Sequence, residues 1–349
     1  MSYTNGLDKP TDYFNTVLYT GNGNVGHAIT GVGFQPDWVW LKERSSTSNH
    51  QSGDAVRGAT KYIQPNTTDG ELTDSNRFSS FDSDGFTQGA NNGVNESGQT
   101  YVAWNWLGAN GTASNTDGSI TSTVSANTTS GFSIVSYDGE GSAGDTVGHG
   151  LGAIPKMMIF KRLESADSWS VYHSSVGATK RLRLNTTDAT QTSSSFFNDT
   201  EPTSSFFTLG ANSEVNGSAE GYIAYCFAEK KGFSKFGSYT GNGNADGTFV
   251  YTGFKPAWIL YKRASDGTNN WGLIDNKRDP INPCLRAIAT NLNNAESPSS
   301  PDGSGDMLSN GWKIKASAGS RNASGVTYIY MAFAENPFVT STGIPTCAR

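Results

Sequence analysis

The chain has 349 residues, a length that suits two or three domains or one large β architecture. Gly, Ser, Thr and Asn together make up about 43% of it, and charged residues only 16% against roughly 25% in ordinary globular chains, so turn formers dominate and helix formers are scarce. A net charge of −6 without any basic run excludes a nucleic-acid binder, and 35% apolar content with 8 Trp, 14 Tyr and 18 Phe excludes wholesale disorder.

In chain order, residues 1–12 read as an N-terminal arm that lacks the charged start and apolar stretch of a secretory signal. An aromatic-rich strand then ends in a Gly-rich turn, Tyr19-Thr20-Gly21-Asn22-Gly23-Asn24. Next comes a proline that opens an apolar run ending in lysine, Pro36 to Lys42 (PDWVWLK). Proline can begin a strand but not sit inside it, and an apolar run without alternation is a strand covered on both faces. Asn95-Glu96-Ser97 follows, and then a closing strand from Tyr101 to Trp106 (YVAWNW), rich in types that suit a buried pleated surface.

The same order recurs twice. Tyr137–Ser142, Pro155–Lys161, Asn216-Gly217-Ser218 and Tyr222–Phe227 form a second copy, and Tyr239–Asn244, Pro256–Lys262, Asn322-Ala323-Ser324 and Tyr328–Phe333 a third. The proline lies 17, 18 and 17 residues past the turn tyrosine, and the Asn-to-Tyr spacing is six every time. The copies span 13–107, 131–229 and 230–338. Residues 108–130 read as a linker with a short hairpin at Ser119–Val124, and 339–349 as an extended C-terminal tail. Only Ala228–Gly232 separates copies two and three, which predicts a hairpin pairing the last strand of one with the first of the next. The fold class predicted is all-β: three tandem β-sandwich-like repeats with little or no helix.

Motifs that could carry chemistry have plainer readings. Gly21–Gly26 and Gly139–Gly144 match GxGxxG, but strand and turn follow where a dinucleotide site needs a helix N-terminus. Asp82-Ser83-Asp84-Gly85 supplies two of the six or more oxygens that calcium takes, and reads as a turn. Asp54 with Arg57 and Asp275 with Arg278 read as ion pairs pinning loops rather than as acid–base sites; His173 stands nearby in copy two. His27, His50, His149 and His173 show no metal spacing, and Cys226, Cys284 and Cys347 form neither a disulfide framework nor a CxxC pair. Glu229 and Glu335 occupy matching positions and read as solvated strand ends rather than a glycosidase pair. No catalytic residue, cofactor or metal is assigned, and an enzyme is not expected. Trp38, Trp40, Trp104, Trp106, Trp258 and Phe333 read as core. Trp169 and Trp271 lie in polar surroundings and have two readings: a ring face offered to a sugar, or partial burial at a sandwich edge.

The combination of the YTGNGN turn, Gly253-Phe254-Lys255-Pro256-Ala257-Trp258, Asn216–Phe227 and Phe333–Phe338 resembles, over nearly the whole chain, a repeat domain of unknown function found in tailed-bacteriophage virion proteins, especially marine ones. The resemblance implies repeats of concanavalin/SPRY or jelly-roll type and a virion structural protein, made in the host cytoplasm and released by lysis, with no family catalytic residues to carry over. The expected role is a tail-fibre or adhesin component present in many copies per particle, as a homo-oligomer or otherwise, touching host-surface polysaccharide or other tail or capsid proteins without membrane insertion. The alternative is a capsid decoration (head fibre or cement) or tail-assembly protein that binds no glycan, and a polysaccharide depolymerase ranks below both. The candidate contact residues are Asn22, Asn95, Trp169, Asn216, Asn242, Trp271 and Asn322.

Overall fold

Each copy begins and ends on strands that pair with each other. In the computed structural model, which describes residues 6–267, 269–299 and 304–346, the strand Phe14–Thr20 runs antiparallel to Thr100–Trp106, Phe132–Asp138 to Gly221–Ala228, and Ser234–Thr240 to Thr327–Pro337. The register sets the two signature tyrosines opposite each other every time, and the pairs Tyr19/Tyr101, Tyr137/Tyr222 and Tyr239/Tyr328 stack at 4.9, 5.2 and 5.0 Å. Against the other edge of each closing strand lies the lysine strand, Trp38–Glu43, Pro155–Arg162 or Phe254–Arg263. Beyond it comes Gln51–Asp54, Ser170–His173 or Gly272–Asp275. The lysine strands are therefore interior to their sheets, with Pro36 before the start and Pro155 at it, where fewest ladder bonds are lost; Pro256, against the sequence reading, lies two residues inside Phe254–Arg263, where the register against Thr327–Pro337 shifts on both sides of it.

Smaller antiparallel sheets cover one face. They are His27–Thr30, Gly85–Gln88 and Phe78–Asp82 in copy one, Thr146–Gly148 with Phe206–Thr208 in copy two, and Phe249–Tyr251, Gly311–Ile314 and Gly305–Leu308 in copy three. Among the described residues the α-helices are single turns, Asn92–Asn95, Ser194–Phe197, Ser213–Asn216 and Gly319–Asn322. The protein is all-β and of sandwich type.

The other face of each main sheet departs from a string of separate sandwiches. Val39 and Leu41 point into copy one's own core, while Trp38 and Trp40 point into a second core that all three copies share. Copy two divides Met158 and Phe160 from Met157 and Ile159, and copy three divides Ile259 and Tyr261 from Trp258 and Leu260. The closing strands follow the same two-residue alternation, sending Trp104, Trp106, Tyr225, Phe227, Met331 and Phe333 to the centre. Each fully buried aromatic there is worth on the order of 2–3 kcal/mol, so a copy cut from its neighbours would expose several such side chains to water.

Three connections differ from the sequence reading. Within 108–130, Ala113–Asn115 and Ser122–Asn127 form strands that extend copy two's sheet, so the hairpin spans more than Ser119–Val124. Copies two and three do not join through a hairpin: Gly221–Ala228 already has a strand on each edge and can take no third, so the chain turns at Lys230–Phe233 and enters another sheet. The arm is anchored, with Leu7 buried in the shared core, and the tail folds back so that the Ser341 amide donates to Asp8 at 2.6 Å. Cys226 and Cys284 are buried free thiols, and Cys347 lies outside the described residues.

Candidate functional site

The three sequence signatures meet at one spot in every copy. In copy one the buried Asn95 accepts from the Asn22 amide at 2.9 Å and donates to the Asn24 and Gly89 carbonyls at 2.8 and 2.9 Å. Asn216 holds the Glu140 amide and the Ser142 and Gly210 carbonyls in the same way, and Asn322 the Asn242 amide and the Asn244 and Ala316 carbonyls. The closing tyrosine completes the latch: Tyr101 donates to the Asn92 carbonyl and accepts from the Glu96 amide, as Tyr222 and Tyr328 do at their equivalents. The first turn glycine is required by proximity, since a Cβ on Gly21, Gly139 or Gly241 would lie 2.2, 2.5 or 2.3 Å from a backbone oxygen.

This latch corrects the contact assignments. Asn95, Asn216 and Asn322 are buried and saturated with backbone partners, because an Asn amide matches the orphan groups of a tight turn. Asn22 and Asn242 remain exposed at the turn tips. Trp169 and Trp271 are each 1% exposed and sit in the shared core, where they can meet no sugar. The polar residues around them bind their backbone instead: Asn185 accepts from the Trp169 amide and Asn291 from that of Trp271, both at 3.0 Å.

The DxxR pairs are joints between copies. Buried Asp54 binds Arg57 at 2.6 Å and accepts from the Tyr225 hydroxyl of copy two at 2.8 Å. Buried Asp275 binds Arg278 at 2.5 Å and accepts from the Trp104 indole of copy one at 3.1 Å. The equivalent position in copy two is His173, which faces the Tyr330 carbonyl of copy three through Nε2 at 3.1 Å. Copy three has Met331 where the others have Trp104 and Tyr225, so it offers no donor, and an imidazole that donates replaces the carboxylate that accepts. Burial pulls His173 down to about 4, which keeps the ring neutral. Two leans on one, three on two and one on three, so the joints close a ring.

The motif lysines work at the same boundaries. Lys161 donates to the Thr68 carbonyl of copy one at 3.1 Å, and Lys262 to the Thr187 carbonyl of copy two at 3.0 Å. Lys42 is buried and donates to the Glu43 carbonyl of its own copy, within the field of Glu296 of copy three, which pairs with Arg44 at 3.0 Å. Burial pushes all three lysines down to about 8. For Glu296 burial would raise the pKa, but the Arg44 and Arg278 guanidiniums overcome this and hold it at about 2.

The remaining acids are engaged locally. Asp84 accepts from the Gly31 and Gly33 amides at 3.0 and 2.7 Å, and Asp82 from Thr87 at 2.7 Å. No group of three or more His, Cys, Asp or Glu that could hold a metal occurs among the described residues. Glu229 and Glu335 pair with Lys235 and Lys255 at 2.8 and 2.7 Å and open into different clefts.

One of those clefts, of about 560 Å³, lies at the outer side of copy three between Glu229, Ser234, Lys235, Tyr251, Gly253 and Phe338. Tyr251 is 61% and Phe338 40% exposed, so two rings rim a concavity that also holds a carboxylate and an ammonium. These residues were not among the candidates. The signal was available in a comparison of copies, where both rings replace glycine.

Fold and interior together define an internally triplicated all-β protein whose shared polar signatures hold its own parts together. The chain belongs to the family described as a domain of unknown function (DUF7483), which matches residues 9–337 and so takes in all three copies. A comparison with the curated proteins found no match.

Proposed function

We propose that this is a non-enzymatic contact protein of a phage particle, a tail-fibre or adhesin component that touches host-surface glycan or other virion proteins. The observation that carries the reading is where the polar chemistry goes. Asn latches, DxxR joints and buried lysines are consumed inside the body, leaving hydroxyl-rich turns and the clefts beside Glu229 and Glu335 to face solvent. The low charge suits contacts that persist in salt, where surface ion pairs are screened. Hydrolysis has less support, because Glu229 and Glu335 open into separate clefts, each against a lysine.

A capsid-decoration role is the second reading, favoured by the one core that all three copies share, which makes a single block rather than a string of modules. Gold-labelled antibody on assembled particles tests both, with label expected at the tail for the first and over the head for the second. Particles carrying no label would defeat the virion reading. Host polysaccharide losing viscosity in the presence of purified protein would defeat the non-enzymatic one.

A further inference from the structure

Aligning the copies isolates what is particular to the third. Five residues before the motif prolines stand Gly31, Gly150 and Tyr251, and ten after the closing tyrosines stand Gly111, Gly232 and Phe338. The backbone differs there as well: Gly31, Gly150 and Gly232 have φ of 86°, 70° and 79°, in the left-handed region that favours glycine, whereas Tyr251 ends the strand Phe249–Tyr251 and Phe338 follows the strand that ends at Pro337. Copy three carries a large ring at both, and both rings open onto the same cleft. Rings this exposed contribute little to the core, so the scaffold does not explain the pair.

We propose that this cleft is a saccharide site for a single hexopyranose unit, an inference that rests on the contact reading and deepens it. Its volume of about 560 Å³ lies within the roughly 300–1,000 Å³ of small-molecule pockets. A pyranose has an apolar C–H face that packs on Tyr251 or Phe338 and an equatorial rim of hydroxyls. Lys235 Nζ donates to one of these hydroxyls, and the Glu229 carboxylate accepts from its neighbour, their own 2.8 Å contact setting the two groups side by side. Glu229 and Lys235 balance each other's charge on the lining, which admits a neutral sugar.

The test is saturation-transfer NMR on the full chain with methyl glucoside, methyl galactoside and methyl glucuronide as probes. Transfer to at least one probe is expected from the native protein. Binding should weaken about five- to tenfold in Tyr251→Gly or Phe338→Gly, which install the residue the sister copies carry, and recover in Tyr251→Phe. Ile154→Ser, on the exposed surface of copy two, should leave transfer unchanged. Absence of transfer from all three probes, or equal transfer in the Tyr251→Gly/Phe338→Gly double variant with an unchanged melting temperature, overturns the site. Either result alongside gold-labelled particles would leave the virion reading standing, whereas unlabelled particles with ring-dependent transfer would remove that reading and keep the site.

Discussion

Tyr225→Phe removes one hydroxyl from the joint between copies one and two. The ring remains stacked on Trp38 at 4.2 Å, and Arg57 still neutralises Asp54, so the loss is confined to one hydrogen bond to a buried carboxylate. Such bonds contribute about 1.5–3 kcal/mol. At about 2.1 cal/mol/K of unfolding entropy per residue, a chain this long loses about 3 °C of melting temperature for 2 kcal/mol. Scanning calorimetry should give one endotherm that moves as a whole, because the copies share a core and none can unfold without exposing its neighbours' aromatics. The double variant with Asp54→Asn should reveal a coupling of about 1–3 kcal/mol. Separately resolved transitions, of which only one shifts, would refute the shared-core argument.

Asn95→Ala strips the copy-one turn of its latch and should cost about 3 kcal/mol, with new proteolytic cleavage within 22–26 as the readout. Gly241→Ala drives a methyl to 2.3 Å from the Ala323 carbonyl and should destabilise by about 2 kcal/mol or more in denaturant titration. The Glu296 carboxyl titrates near 2 when folded against 4.5 as the ordinary value, so its stabilisation is full above pH 4.5 and fades as pH falls toward 2, by up to about 3 kcal/mol. Glu296→Gln should flatten that part of an acid-unfolding curve. Lys161→Met leaves the Thr68, Ser165 and Asp167 carbonyls without their shared donor and should lower stability by about 2–4 kcal/mol.

Recurrence made the strands legible: Tyr19, Tyr137 and Tyr239 mark the openings, and their partners six residues past the NxS asparagines mark the closings. The lysine strands were readable as buried on both faces, yet nothing in a five-residue apolar run says whether the second face meets a sandwich partner or another copy. Exchanged residue types hid other contacts. Arg77 lies over the Tyr62 ring in copy one, while in copy two Arg181 takes the tyrosine's place and lies over Phe196, so the same contact is written in opposite order. Trp169 and Trp271 misled because their polar neighbours serve backbone rather than solvent. The copy-three cleft escaped a reading that sought recurrence, since Tyr251 and Phe338 are where recurrence fails.

Asp8 and Ser341 touch, so a short peptide could bridge residues 8 and 341 while the chain is opened elsewhere, for instance at the exposed Lys231 between the second and third sheets. Such a circular permutant would keep every joint and the pairing of the main sheets, and would give up Leu7 and the Val339–Pro345 bridge. The polypeptide's linear order would then be incidental, and any of the three bricks could be synthesised first.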